Sequence, residues 1–471
     1  MSTAVEAGRS YRSPSGAELP PPGTHARRGR WIDDWAPDDP TFWNNGGSKV
    51  AHRNLAFSIF SEHIGFSVWT LWSVLVLFLG PAYGIDPAGK FVLVSAPALV
   101  GSMVRLPYTF AVAKFGGRNW TIVTASLLLV PTILALIVLE PGISYSILLL
   151  VACVAGVGGG NFASSMTNIN AFFPDSRKGW ALGLNAGGGN LGVAAVQLLG
   201  LLVLATAGAT HPRVLVGIYI PLIVLAGVGA ALFMDNLSSA KNDKKAMRDA
   251  TRDGHTWVVS LLYIGTFGSF IGFGFAFGQV LQVQFKADFP TPIKAAYLTF
   301  LGPLLGSLIR PIGGKLADRI GGATVTFWNF VAMAAAATLV LVASVQKSLP
   351  LFVLGFTLLF VFSGLGNGST YKMIPAIFRA KSQKLIDGGS DRSVSDREAR
   401  RLSGAVIGIA GAIGALGGFL IPITFSSPWI DDPVDAVKSA FVVFTVFYLI
   451  CLAVTWLFYL RPKSIMAQAG V

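Results

Sequence analysis

The sequence predicts an all-α polytopic membrane protein with twelve transmembrane helices in two six-helix halves and both termini on the cytoplasmic side. Three observations predict it. Of 471 residues, 53% are hydrophobic and 13% charged, against about 25% charge in a soluble chain, and mean hydropathy is +0.62. Twelve apolar runs of about 20 residues are each long enough to cross a hydrocarbon core of about 30 Å. The basic residues divide unevenly: 27 of the 36 Lys and Arg lie on the tail's side of the runs, six in the opposite loops and three within runs. Basic loops stay inside. The formal charge of +13 is therefore mostly an orientation signal with some attraction to anionic lipid, and no nucleic-acid partner is expected.

Residues 1–53 are polar, Pro-rich and basic without an apolar stretch, so they read as a cytoplasmic tail and not as a signal peptide. The N-terminal bundle, 54–234, holds runs at 54–80, 91–115, 120–139, 144–173, 179–205 and 214–234 (helices one to six). A cytoplasmic linker, 235–255, carries Lys241, Lys244, Lys245, Arg248 and Arg252. The C-terminal bundle, 256–460, holds runs at 256–281, 293–316, 325–345, 351–377, 402–425 and 437–460 (helices seven to twelve). Residues 461–471 form a second cytoplasmic tail. Cys153 and Cys451 both sit in apolar runs, which suits small buried hydrophobes and offers neither a disulfide framework nor a metal-ligand spacing.

The six-and-six split invites a search for an internal repeat. Arg105, Gly116, Gly117 and Thr121 recur as Arg310, Gly321, Gly322 and Thr326, all offset by 205. Gly183, Gly189 and Gly192 of helix five recur as Gly408, Gly414 and Gly417 of helix eleven at offset 225, the extra 20 residues being expected as an insertion in the inner loop 379–401.

Ionisable groups inside membrane helices are expensive and mark pathways. Arg105 stands about ten residues, roughly 15 Å of helix rise, from the inner end of its run, and Arg310 some six residues from the end of its own. Two guanidiniums at equivalent positions of two halves describe an anion site, because a guanidinium stays charged and offers a planar fork of donors. The competing reading is that each pairs with a helical acid, but Glu62 is the one acid deep in any run, and one carboxylate does not neutralise two arginines. Phe162, Tyr263 and Phe267 could sandwich a flat delocalised anion, although aromatics at helical spacing are more often core. The glycines of helices four, five and eleven suit close backbone packing; the set Gly183, Gly189, Gly192, Gly408, Gly414 and Gly417 also suits an interface that slides. No strand precedes them and no Gly-Lys-Ser/Thr follows, so they form no nucleotide loop.

Twelve helices as two similar halves is the architecture of the major facilitator superfamily, and Gly313-Gly-Lys-Leu-Ala-Asp-Arg-Ile-Gly-Gly322 resembles its inner-loop signature. The first-half copy, Ala113-Lys-Phe-Gly-Gly-Arg118, is degraded and lacks the acid. Within the superfamily the chain resembles the nitrate/nitrite porters along nearly its whole length. The motifs are Phe66-Ser-Val-Trp69, Arg105-Leu-Pro-Tyr-Thr-Phe110, Gly160-Asn-Phe-Ala-Ser-Ser-Met-Thr-Asn168, Ala181-Leu-Gly-Leu-Asn185 through Asn190, and Gly366-Asn-Gly-Ser-Thr370 with Met373-Ile-Pro375. The resemblance implies anion binding by Arg105 and Arg310, an aromatic clamp of Phe162, Tyr263 and Phe267, and a polar contact from Asn190. Two departures stand out: Ala186, where the family often has glycine, and Glu62-His63, where many relatives are apolar.

The expected function is transport of nitrate and nitrite across the inner (cytoplasmic) membrane by rocker-switch alternating access, without a cofactor or metal and without catalytic residues. Two buried charges in an empty carrier favour obligatory exchange, since a bound anion lowers the cost of moving them. The alternative is proton-coupled nitrate symport through Glu62; more distant ones are another anion carrier or a membrane sensor. An enzyme is not expected, because no nucleophile with a base and no metal cluster is present in the sequence. The resemblance further implies nitrate assimilation or supply of an internal nitrate reductase, and the chain is expected to act as a monomer in the bilayer.

Overall fold

The computed structural model describes residues 11–12, 18–19, 28–239, 243–427, 429–462 and 464–471. Most of the tail, including His25, and Lys241 of the linker lie outside the described residues. Among the described residues, twelve helices are long and apolar enough to cross a membrane. In the first half these are Ser48–Phe78, Pro87–Phe115, Gly117–Val138, Tyr145–Phe172, Asp175–Thr206 and Pro212–Phe233. In the second half they are Gly254–Gln284, Pro292–Ile320, Gly322–Val345, Leu349–Asp387, Arg392–Phe425 and Pro433–Leu460. Carboxylates cap several starts: Asp86 accepts from Gly89 N (2.8 Å), Asp253 from His255 N (3.0 Å) and Asp432 from Val434 N (2.7 Å), satisfying amides that a first helical turn leaves bare.

The duplicated sequence produces duplicated geometry. Helix two ends at Gly116 (φ 88°, ψ 146°) and helix eight at Gly321 (φ 90°, ψ 137°), a left-handed conformation that glycine adopts without strain. Helix eight continues to Ile320, beyond the expected end at 316, so Arg105 and Arg310 both stand ten residues before the last helical residue. The two arginines are therefore at one level, not offset in depth. The twenty extra residues near 379–401 are also not a loop. Helix ten runs on to Asp387 and helix eleven starts at Arg392, where Asp391 caps Val394 N (2.9 Å); the insertion lengthens both helices beyond the bundle. Lys372, within the tenth run, pairs with Asp318 of the Gly313–Gly322 motif at 2.9 Å and so belongs to the helix end, not to the middle of the bundle.

The tail, the linker and the C-terminus share one face. Trp31 and Ile32 pair in parallel with Asn236 and Leu237. Asp235, fully buried, accepts from Arg30 (2.9 Å), Arg53 (2.6 Å) and Asn54 (2.8 Å), a cluster that meets the demand for partners on a buried charge. The linker contains a short helix, Lys244–Thr251, N-capped by Asp243. On the opposite face the halves meet tightly: Phe91 stacks on Phe425 at 5.4 Å, Trp69 meets Phe275 edge-on at 5.5 Å, and Gln197 Nε2 donates to Gly274 O at 2.7 Å.

Candidate anion site between the halves

Arg105 is 1% exposed. Its Nε donates to Gly159 O at 3.1 Å and its Nη1 to Gly411 O at 2.8 Å, the second bond crossing from helix two to helix eleven. Three rings surround the guanidinium: Phe162 at 4.7 Å, Phe267 at 5.1 Å and Trp69 at 5.4 Å from their centroids. Cation–π attraction is strongest where water is excluded. Nη2 has no partner. Arg310, also buried, lies 5.8 Å from the Tyr371 ring and leaves Nη1 without a partner. Among the described residues neither arginine forms a carboxylate ion pair.

Local backbone departures set these side chains. Helix four tightens to a 3₁₀ turn at Gly156–Gly160 just before Asn161 and Phe162. Helix seven widens to a π turn at Ile264–Gly268, which carries Phe267 and follows Tyr263. Such turns are frequent at functional positions. The glycines of the first explain the tightening: a Cβ at Gly159 would meet the Trp69 ring and Gly101 Cα, and one at Gly160 the Tyr108 ring.

The aromatic clamp is shut. Phe162 and Phe267 stack at 6.0 Å and 25°, and Tyr263 stacks on Phe267 at 5.2 Å and 19°. Rings this close touch one another, so a flat anion enters between Phe162 and Phe267 only if they part. Arg105 and Phe162 line a cavity of about 220 Å³ that opens toward the tail's face, together with Thr109, Met166, Tyr371 and Gly411. Arg310, Tyr263 and Phe267 adjoin its lining through ring and guanidinium contacts with Tyr371 and Arg105. Asn190 is buried in helix five with both side-chain polar atoms unpartnered, off the cavity wall. Trp69 lies in a motif the sequence brings forward and Tyr371 directly follows one, yet only their contacts mark them as site residues.

The cavity mouth is walled by the linker: Asp243, Ala246 and Met247 line it beside Arg401. Arg401 pairs with Asp243, with Asp249 (3.3 Å) and with Glu398 (2.6 Å). Hydrogen bonding to Arg401 holds the Asp243 carboxyl below the usual carboxylate range.

Glu62 is fully buried. Its Oε2 accepts from Asn185 Nδ2 (2.6 Å) and from Ser165 Oγ, and its Oε1 has no partner. His63 faces the other way: its Nδ1 lies 3.1 Å from Gly188 O, and because a carbonyl only accepts, that nitrogen carries the hydrogen. The nominated glycines fall into two sets. A Cβ at Gly189 would meet the Glu62 carboxyl, at Gly192 the His63 carbonyl, at Gly414 the Tyr263 ring and at Gly417 the Gly268 backbone, whereas Gly183 and Gly408 face open space.

The profile of the Major Facilitator Superfamily matches residues 55–422. The nitrate/nitrite transporter NarU of Salmonella typhimurium is 38% identical, the alignment covering 92% of this chain and 96% of the relative. The probable nitrate/nitrite antiporter NarK2 of Thermus thermophilus is 33% identical over 93% of this chain and 98% of the relative. Among solved structures, a D-xylose–proton symporter superposes with a TM-score of 0.63 at 14% identity, over 87% of this chain and 97% of the other. An inward-facing bacterial homologue of the lysosomal transporter Spinster superposes at 0.61 and 15% identity, over 89% and 98%. These last two share the fold. The chain is thus a multi-pass membrane transporter, in bacteria one of the inner membrane, and it belongs to the major facilitator superfamily and, within it, to the nitrate/nitrite transporter family.

Proposed function

We propose that the chain carries nitrate and nitrite across the inner membrane by exchange, with Arg105 and Arg310 holding the anion between the halves. One observation carries this reading: two buried guanidiniums at equivalent positions, without ion-pair partners among the described residues, each keep an N–H edge free. A delocalised monovalent oxyanion satisfies both edges at once. Phe162, Tyr263 and Phe267 close over it, and Asn190 supplies a polar contact once the halves rearrange. The tail's face is cytoplasmic by its excess of Lys and Arg, so the cavity opens inward. The two six-helix bundles rock about the site as units, with Gly189 and Gly192 against helix one and Gly414 and Gly417 against helix seven as the close contacts that slide. The carrier acts as a monomer and feeds an internal nitrate reductase.

An empty carrier must move buried positive charge through a constriction, which is costly; a bound anion removes part of that charge, which favours exchange. A second reading, proton-coupled nitrate uptake, draws on the buried Glu62, whose Oε1 has no partner among the described residues. Nitrate uptake into proteoliposomes separates the two. Exchange requires internal nitrite and ignores an imposed pH gradient; symport proceeds into empty vesicles when protons are driven inward and disappears in Glu62→Gln.

A further inference from the structure

The closure opposite the tail is built as a layer over the anion site. Ala98, Gln197, Gly274 and Gly418 stand seven residues from Arg105, Asn190, Phe267 and Gly411 on helices two, five, seven and eleven, in each case on the side away from the tail. Seven residues are about two helical turns, roughly 10 Å of rise, so each of the four shares a helix face with the site residue beneath it. Across the halves they meet in pairs. A Cβ at Gly418 would come within 3.0 Å of Ala98 Cβ, and Gln197 Nε2 donates to Gly274 O at 2.7 Å. Ala98, Gly274 and Gly418 are small, which lets the backbones approach. Gln197 is the exception, a long polar side chain that is 2% exposed and whose Oε1 has no partner among the described residues.

The contact with Gly274 fixes the orientation of the amide. A carbonyl only accepts, so the nitrogen faces it and the oxygen turns away. Beside Gly274 stand Val193 and Pro303, whose side chains offer no donor. Gly274 does not need the amide: inside the helix Ser269–Gln284 its oxygen already accepts the helical bond of the residue four positions on. The closed layer thus sets one neutral hydrogen bond, which contributes little net, against an orphaned amide oxygen, which is expensive in a dry contact. When the halves part on this side, water reaches both atoms and that cost disappears.

We propose that Gln197 is a gating residue that keeps the closure opposite the tail weak enough to open: its half-satisfied amide destabilises the closed layer relative to the open one. The bond to Gly274 is then not a latch. An apolar side chain of the same length gains by burial and loses by exposure, so it holds this face shut. The proposal rests on the rocking of the two halves and not on the identity of the anion.

The test reads thiol labelling of the purified full-length protein in nanodiscs, in a background without Cys153 and Cys451. Thr299→Cys is the probe opposite the tail: Thr299 is 4% exposed, and a Cβ at Gly278 would meet both it and Leu77 of the other half. Thr167→Cys, in the lining of the cavity, reports the tail's face. Each variant is compared with its parent at one pH, so the ionisation of the probe cancels. Gly418→Ala, whose methyl would press on Ala98 and Ile271, wedges the layer and should raise labelling at Thr299→Cys while lowering it at Thr167→Cys. Gln197→Met keeps the length of the side chain and removes both polar atoms. It should lower labelling at Thr299→Cys about fivefold, in the parent and in Gly418→Ala alike, and Gln197→Leu should do the same. Higher labelling in Gln197→Met would make the bond a latch and overturn the proposal; unchanged labelling would overturn it too, by making the amide merely structural. A Thr299→Cys thiol that stays unlabelled in Gly418→Ala would show that this layer is not the gate, with the same result. A rise there without the matching fall at Thr167→Cys would sink the rocking reading itself, and this proposal with it.

Discussion

The two arginines hold equivalent positions in the two halves, and their surroundings differ. Arg105 is built in: two carbonyls from helices four and eleven take its N–H groups, and three rings surround its plane. Arg310 has the Tyr371 ring beside it and, among the described residues, no carbonyl bond comparable to those of Arg105. A symmetric fold thus carries an asymmetric site, in which one cation is positioned by dipoles and quadrupoles and the other is left free to meet an anion. The bond from Arg105 to Gly411 also ties helix two to helix eleven across the halves, and the proposed rocking would have to break it.

Conservative substitution of each arginine tests that asymmetry most directly. Arg105→Lys loses the fork that serves two carbonyls and a ligand, and nitrate affinity by titration should fall roughly 100-fold, about 2–3 kcal/mol. Arg310→Lys should fall by only about tenfold; equal losses would mean that the two sites work alike. Next in size are the glycines. Gly192→Ala and Gly417→Ala drive a methyl into backbone on helices one and seven and should each cost about 1–3 kcal/mol of stability, read as a lower melting temperature. Gly183→Ala and Gly408→Ala face open space and should leave it unchanged or raise it. A smaller effect is expected of the rings: Phe162→Leu removes the ring nearest Arg105 and should weaken nitrate binding by about 1 kcal/mol, whereas Tyr371→Phe keeps its ring beside Arg310 and should change binding less.

The smallest effect lies at the mouth. Asp243 is 45% exposed, so its pair with Arg401 is worth little on its own, and Asp243→Asn should raise thiol labelling of a Thr167→Cys probe in the cavity about twofold. The sign of its pH dependence follows from the lowered carboxyl pKa. The stabilisation is present above the ordinary aspartate value and lost only as pH falls through the depressed one. The ratio of labelling in Asp243→Asn to that in the parent, in which the ionisation of the probe thiol itself cancels, should therefore stay flat from pH 8 to about pH 4; a change in that ratio already near pH 6 would place control of the mouth elsewhere.

The twelve spans, the paired arginines and the repeat were legible because each depends on local composition: a run of apolar side chains must leave water whatever its neighbours do. The left-handed glycines ending helices two and eight belong to the same class, since their conformation is a property of the residue. Residues 379–401 misled for a related reason. Charge and a Gly-Gly pair suggest a loop, but residues able to continue a helix and a capping Asp391 extend helices ten and eleven instead.

Tertiary structure alone decided the rest. Glu62 finds Ser165 and Asn185 over 103 and 123 residues of chain, and Arg401 finds Asp243 over 158. No periodicity encodes such meetings, because they depend on how whole helices cross. The stacking of Phe162 directly on Phe267 is likewise a state of two halves brought together. The sequence by itself determined which groups enter the membrane and in what order, through the solvation of single segments. The packing of one half on the other decided which of those groups face each other, because only there do burial and charge act between distant parts of the chain.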